Sequence, residues 1–317
     1  MTDLPQLNIV IVDWNSGQLL RECLSSIRSS ESKNFGLAQV VVVDNASDLR
    51  TVQPDEFTDL PLAWIRNSSN RGFAAACNQG AKFSEADYLL FLNPDVRLRP
   101  DSIRRAIDLM TDWTHRCVGI CGIRHVDEGG SFSTSCARFP TLKTFFGKMT
   151  GLVRLMPRQF PPHFLTADEC SQSREVDQVI GAFFMVRRLL FEDLGGFDER
   201  FFVYFEEVDF ALRASRCGFT SYYLAEAVAI HHGGGCSGRI KGTRLFYSLR
   251  SRLFYAFKHY STFESLLLLI LTLTVEAGTR LLSAVASFSP LRVVETIAAY
   301  GALLSYFCSR GANDGGR

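Results

Sequence analysis

The run Phe201 to Arg213, Phe-Phe-Val-Tyr-Phe-Glu-Glu-Val-Asp-Phe-Ala-Leu-Arg, sets three acids at the start of a helical pattern, behind a nearly unbroken aromatic stretch. Asp209 has an ordinary explanation: acids suit the positive end of a helix, and Arg213 follows one turn later as an ion-pair partner. That explanation does not reach the adjacent Glu206 and Glu207. Desolvation by aromatic neighbours and a like charge next door both raise a carboxyl pKa toward the working range of a general base. Either glutamate is therefore a candidate to take a proton from a hydroxyl nucleophile.

Five more polar residues stand where apolar runs end. Asp95 follows Leu-Leu-Phe-Leu-Asn93-Pro94, so a very apolar segment delivers a carboxylate. A hard divalent cation takes oxygen ligands and keeps substrate phosphates in its shell, so one carboxylate plus a diphosphate suffices to hold it. His231 and His232 end another apolar run and precede Gly233, Gly234 and Gly235, a backbone able to approach a phosphate closely. His231 reads equally as a metal or phosphate ligand and as a structural histidine. Asp44 closes Val-Val-Val-Asp-Asn-Ala-Ser and Asp13 closes Ile-Val-Ile-Val-Asp. A carboxylate there can bind a base or ribose, or can simply cap a turn.

The elements that must position these residues alternate. Leu7 to Asp13 reads as a buried strand, and Leu19, Leu20, Cys23, Leu24 and Ile27 fall on one face of a following helix. Val40 to Val43 and Tyr88 to Leu92 are further strands. Asn70 to Lys82 becomes helical after Gly72, and Pro100 to Met110 is a helix opened by Pro100 or Asp101. Such alternation predicts an α/β fold, a mostly parallel sheet with helices on both faces, whose ligands bind beyond the carboxyl ends of the strands. Asp127 to Ser173 has weak periodicity and several prolines, and reads as a long insertion. Val176 to Val186 returns to a strand, Val208 to Arg216 is a helix, and Tyr222 to Ile230 is a last strand.

Composition narrows the class. With 317 residues, 47% of them hydrophobic, the chain can bury a sizeable core, and a net charge of +1 gives no bulk reason to expect nucleic acid as a partner. Nine scattered cysteines, several inside apolar patterns, point to reduced thiols and a cytoplasmic setting. Cys117 and Cys121 have no second pair at zinc-ligand spacing. The N-terminus leads straight into a strand and lacks an export pattern.

The last third differs in character. Arg239, Lys241, Arg244, Arg250, Arg252 and Lys258 mark a basic aromatic stretch, and the apolar run Leu266 to Val275 is interrupted by Glu276 and Arg280. A run of ten falls short of the roughly 20 apolar residues needed to span a bilayer. An amphipathic pair lying in the membrane plane is expected over 239–307, with packing on the rest of the chain or on a second copy, a homo-oligomer, as the competing use of the same faces.

Taken in order, eight segments resemble the family-2 glycosyltransferases of the GT-A fold, most closely the rhamnosyltransferase-like branch that builds bacterial surface polysaccharides. They are Ile-Val-Asp-Trp-Asn at 11 to 15, Val-Asp-Asn-Ala-Ser at 43 to 47, Asn-Arg-Gly-Phe-Ala at 70 to 74, Leu-Asn-Pro-Asp at 92 to 95, Gly181 to Arg187, Gly-Gly-Phe-Asp-Glu at 195 to 199, Phe-Glu-Glu-Val-Asp at 205 to 209 and His-His-Gly-Gly at 231 to 234. One such match is weak; eight in order are specific. The resemblance implies a catalytic domain over 1–238, with a nucleotide-sugar half to about 125 and an acceptor half from 126, followed by a helical region over 239–317. It implies that Asp13, Asp44, Asn70, Gly72 and Asn93 border the nucleotide sugar. Asp95 and His231 would serve Mg2+ or Mn2+, and Gly181, Phe183, Gly196, Phe197 and Asp198 the acceptor. Glu207, or Glu206 beside it, matches the base of an inverting transfer. The implied donor is dTDP-rhamnose, with a UDP-hexose as the alternative, and the implied acceptor is a lipid-linked glycan at the inner face of the cytoplasmic membrane. Asp13 stands where this branch often has Asn, Asn93 replaces the first acid of the general Asp-X-Asp motif, and Glu207 replaces the more usual Asp. A catalytically silent nucleotide-sugar-binding protein is the alternative that the unusual Glu207 motivates. A nucleotidyltransferase expects a Gly-rich basic loop that Trp14 to Leu20 lacks.

Overall fold

The computed structural model describes residues 4–48, 52–233 and 241–314. Gly234, Gly235, Arg239 and the expected boundary at 238 lie outside the described residues. In chain order the elements are β1 (Gln6–Asp13), α1 (Gln18–Arg28), β2 (Gly36–Asp44), β3 (Leu62–Arg66), α2 (Phe73–Ala81), β4 (Tyr88–Leu92), β5 (Val96–Leu98) and α3 (Ser102–Thr111). Then come β6 (Val118–Val126), β7 (Phe132–Ser133), β8 (Cys136–Ala137), α4 (Leu142–Thr150), α5 (Leu152–Leu155), β9 (Arg174–Val176), β10 (Gln178–Val179), β11 (Phe183–Arg187), α6 (Arg188–Asp193), α7 (Glu206–Arg216) and β12 (Thr220–His231). The chain ends in α8 (Lys241–His259), α9 (Thr262–Leu271), α10 (Ala277–Ala286) and α11 (Pro290–Asp314).

The main sheet runs β3-β2-β1-β4-β11-β6-β12-β5. β1 to β4 pair in parallel, as do β6 and β12, while β11 and β5 run antiparallel to their neighbours. The expected mostly parallel sheet with helices on both faces is what forms. Its strands read as unbroken apolar runs because both faces are covered. Ile9 and Ile11 pack toward α1 and α3, with Leu24, Ile27, Ile103 and Ile107. Val10 and Val12 pack toward α2 and α7, with Ala74, Cys77, Phe210 and Ala211. The small residues of α2 allow a close approach to the sheet: a methyl at Gly80 would lie 2.4 Å from Val10 Cγ1.

Two compact units divide the chain: Met1–Phe139, Phe164–Phe202 and Glu206–Cys236 form the first, and Pro140–His163, Val203–Phe205 and Ser237–Arg317 the second. The sequence expectation differs here, because 140–163 and 203–205 sit with the C-terminal helices rather than in an acceptor half. The stretch read as a periodicity-poor insertion carries α4 and α5, whose Phe145 and Met149 enter a core with Leu249, Leu253, Leu268 and Leu303 of the second unit. A helix whose partners lie a hundred residues downstream shows little of that packing in its own short pattern.

Within the second unit, the acid that breaks the apolar run is neutralised internally. Glu276 accepts hydrogen bonds from Arg252 at 2.5 Å and Arg280 at 2.7 Å, and its side chain is 6% exposed. The helix therefore continues from α9 through a π turn at Thr272–Glu276 into α10. Thr262–Ala286 and Pro290–Cys308 are both long and apolar enough to cross a membrane, which corrects the ten-residue estimate. The basic stretch is less of a surface than its sequence implied: Arg252 is buried, Arg250 lies over the rings of Phe246, Tyr247, Phe254 and Tyr306, and Arg244 donates to the Tyr204 hydroxyl.

Candidate active site

Because β1, β2, β4, β6 and β12 run the same way, their carboxyl ends share one sheet edge, and antiparallel β11 begins there. Asp13 and Asp44 are register partners at the ends of β1 and β2, both buried. Each does cap a turn: Asp13 Oδ1 accepts from the Ser16 N–H at 3.1 Å and Asp44 Oδ1 from the Ser47 N–H at 2.8 Å. Each also keeps a second oxygen in use, Asp13 Oδ2 facing the Ser47 hydroxyl at 3.4 Å and Asp44 Oδ2 facing Arg66 at 3.6 Å. Arg66, half exposed at the end of β3, is a cation at this edge that the motifs did not flag.

Asn45 ties the next motif to the same edge. Its side chain donates to Asn70 Oδ1 and the Gly72 carbonyl, and accepts from Asn67 Nδ2 and the Arg71 N–H. Gly72 has φ +87° and ψ 165°, a region open to glycine alone, and a methyl there would lie 2.5 Å from the Phe202 carbonyl oxygen. Gly72→Ala is expected to cost about 1–3 kcal/mol from backbone strain before any clash is counted, measurable as a lowered denaturant midpoint.

Asn93 and Asp95 leave β4 in a tight turn: the Val96 N–H donates to the Asn93 carbonyl, and the Asn93 N–H donates to the Ala182 carbonyl at the start of β11. Asp95 is 6% exposed, and its Oδ1 stands 3.5 Å from His231 Nε2, because His231 pairs with Val96 across β12 and β5. The two residues expected at a metal are thus brought together. Among the described residues no group of three metal-ligating side chains forms. The pair fits a divalent cation that takes its remaining ligands from a diphosphate and water, since a carboxylate and an imidazole are both ordinary donors to Mn2+.

Sequence reading missed His125. It lies near the end of β6, 1% exposed, with its ring centroid 5.4 Å from that of His231. Burial, with His231 beside it, pushes its pKa down to about 3, so the ring is neutral at physiological pH. The signal that could have found it is a buried polar residue in an apolar strand, one residue before its end.

The two glutamates at the head of α7 have different surroundings. A side-chain carbon at Gly181 would lie 3.9 Å from Glu207 Cβ, so Glu207 stands against the segment entering β11, and it is partly exposed. Glu206 is 5% exposed, and its Oε2 has no hydrogen-bond partner among the described residues. Burial first, and then the charge of Glu207, raise the Glu206 pKa well above the ordinary carboxyl range. Immediately before them Tyr204 and Phe205 hold φ of 68° and 72°. Consecutive left-handed backbone at bulky residues is a costly conformation of the kind found at functional sites.

The remaining acceptor-side expectations meet a correction. Phe183 is fully buried in the sheet core and Phe197 is 3% exposed in a cluster with Phe91, Phe191 and Phe210, so neither ring is open to a ligand. Alternation along a strand and an aromatic packing cluster claim them. Gly196 serves the scaffold: its carbonyl accepts from Arg213, which also donates to the Leu194 carbonyl and pairs with fully buried Asp209 at 2.8 Å. Asp198 forks to Arg200. Arg213→Ala, which strands the Asp209 charge, is expected to cost about 3–5 kcal/mol of unfolding free energy, read by chemical denaturation.

Comparison with known proteins agrees with this fold. The model of the family "Glycosyl transferase family 2" matches residues 8–195. The N-acetylglucosaminyl-diphospho-decaprenol L-rhamnosyltransferase of Mycobacterium tuberculosis (strain H37Rv) is 28% identical over 257 residues, covering 77% of this chain and 81% of the relative. Rhamnosyltransferase WbbL of Escherichia coli (strain K12) is 29% identical over 150 residues, 47% of this chain and 53% of the relative. Among solved structures, mannosyltransferase PcManGT from Pyrobaculum calidifontis, in complex with GDP-Man and Mn2+, superposes with a TM-score of 0.54 at 17% identity, over 98% of this chain and 81% of that one. S. aureus TarS 1-349 in complex with UDP-GlcNAc gives 0.54 at 16% identity, over 94% and 80%. These structures share the fold. With the family's sequence pattern running through the strand-end acids and rhamnosyltransferases among its relatives, the chain belongs to glycosyl transferase family 2 and is a glycosyltransferase of the rhamnosyltransferase-like kind.

Proposed function

We propose that this enzyme transfers a sugar, L-rhamnose from dTDP-rhamnose, to a lipid-linked glycan by single displacement with inversion. The observation that carries the mechanism is the position of Glu207 against Gly181, at the sheet edge where Asp95 and His231 also end. Glu207 accepts the proton of the acceptor hydroxyl while that oxygen attacks the anomeric carbon opposite the departing nucleoside diphosphate. Being partly exposed, Glu207 can meet a hydroxyl; Glu206, buried with a raised pKa, holds its proton and is poorly placed to take another.

Asp13 and Asp44 orient the nucleoside, with the Asn45 network holding Asn70 and Gly72 at its border. Asn93 and Asp95 lie at the diphosphate. Asp95 and His231 hold Mg2+ or Mn2+, which supplies positive charge to the leaving diphosphate when bound. His125 excludes water behind His231 and keeps that ring in place. The rhamnosyl donor is supported by the two rhamnosyltransferase relatives, one of whose names specifies a diphospho-decaprenol acceptor. The apolar helices Thr262–Ala286 and Pro290–Cys308 support work at the cytoplasmic membrane face.

Calorimetric titration of the purified chain with dTDP, UDP and GDP, each with and without Mn2+, tests the donor. The reading predicts metal-dependent preference for dTDP. Preference for UDP would replace the donor with a UDP-hexose, and binding of none would remove the site.

A further inference from the structure

The second unit contains a cavity of about 830 Å³ among α4, α5, α10 and α11. Four cations line it, Lys148, Arg154, Arg280 and Arg292, against two carboxylates, Glu276 and Glu295. Glu276 is already neutralised by Arg252 and Arg280. Lys148, Arg154 and Arg292 make no ion pair among the described residues. Desolvation, and then the charge of Arg252, lower the pKa of the Lys148 ammonium against the opposing charge of Glu276. Lys148, Arg154 and Arg292 are exposed, so this is an open cavity with surplus positive charge, which an anion stabilises, and its volume suits a small molecule rather than a single ion. Guanidinium forks and an ammonium arriving from separate helices suit a phosphate, whose several oxygens can be met from different directions.

The outer faces of the same helices, beyond the cavity lining, say more about the ligand. The helices that supply Arg280 and Arg292 also leave Leu282, Val285, Leu291 and Val294 between 62% and 71% exposed. A soluble anion has no use for such faces, whereas an amphiphile uses both parts: a charged group in the cavity and a hydrocarbon chain along the helices. We propose that this cavity binds the phosphate or diphosphate group of a membrane lipid, with the lipid chain against α10 and α11. The inference rests on the membrane-facing, lipid-linked acceptor reading above and adds to it a second anion site, separate from the nucleotide diphosphate.

The test uses the full chain in flotation with phosphatidylcholine vesicles, with and without phosphatidic acid, and thermal unfolding with inorganic diphosphate in the absence of vesicles. The expected result is flotation with phosphatidic acid and a raised Tm with diphosphate. Lys148→Gln with Arg292→Gln should weaken vesicle binding by roughly twenty- to thirtyfold, about fivefold for each cation removed. Lys82→Gln, an exposed lysine of the catalytic unit, should change nothing. Should the double variant fail to fold by circular dichroism, Arg154→Gln, at an exposed position, carries the same test. Stabilisation by diphosphate with no preference for phosphatidic acid would assign the cavity to a soluble phosphate and overturn the lipid source. Unchanged vesicle binding by the variants, or equal loss with Lys82→Gln, would overturn the site itself. Nucleotide titration of the same samples separates the two readings: failure of the native chain to bind any nucleotide removes the transferase reading, whereas loss of vesicle binding with intact nucleotide binding supports the cavity.

Discussion

Glu207→Gln is expected to lower the rate of sugar transfer by about a thousandfold, the middle of the range for loss of a general base, with donor affinity unchanged within about twofold. Glutamine keeps the shape of the side chain against Gly181 and removes only its ability to accept a proton. Glu206→Gln is the informative partner, because a buried carboxyl that keeps its proton already resembles an amide. It should retain most of the activity. It should also change the pH dependence of stability in a definite direction. The Glu206 pKa is raised in the folded chain, so the native protein loses stability as pH rises through the unfolded carboxyl value near 4.5, until the folded carboxyl itself ionises. The glutamine variant carries no such loss. Its Tm should match that of the native chain in acid and exceed it by a growing margin toward neutral pH. A Glu206→Gln enzyme that is inactive, beside a Glu207→Gln enzyme that works, would exchange the roles of the two residues.

Asp95→Asn is expected to abolish the gain in nucleoside diphosphate affinity produced by Mn2+ and to reduce transfer by roughly a hundredfold or more, since metal charge at a leaving diphosphate is worth several kcal/mol. Calorimetry with and without Mn2+ on native and variant chains reads the first effect, and initial rates read the second. The asparagine preserves the turn, because that turn is held by the Asn93 and Asp95 backbone carbonyls and not by the carboxylate. A variant whose affinity still rises with Mn2+ would place the cation elsewhere. His231→Ala is the natural comparison, and a smaller loss there is expected from a neutral ligand than from a carboxylate.

Much of the sheet was legible because strands buried on both faces leave unbroken apolar runs, and the polar residue ending each run marks the ligand edge. Asp13, Asp44, Asp95 and His231 were all found that way, and the structure gathers them. His125 stands one residue before the end of such a strand and was passed over because no motif contained it. Phe183 and Phe197 lie inside recognisable motifs, but the alternation of β11 and the cluster around Phe91 bury their rings, which the motifs do not show. The second unit was least legible. Its α4 is joined to helices a hundred residues away, and Glu276 looked like a break in a helix until Arg252 and Arg280 were seen to neutralise it. The α4 packing and the Arg252–Glu276 pair are long-range, invisible to local periodicity.

The measurement that tests the central claim most directly is the anomeric configuration of the transferred sugar, read by proton NMR on product formed from dTDP-rhamnose and a diphosphate-linked lipid acceptor. A base at Glu207 acting in a single displacement predicts the anomer opposite to that of the donor. A product that retains the donor's configuration would contradict it, because retention requires an even number of displacements at the anomeric carbon and gives Glu207 no place in the reaction as described.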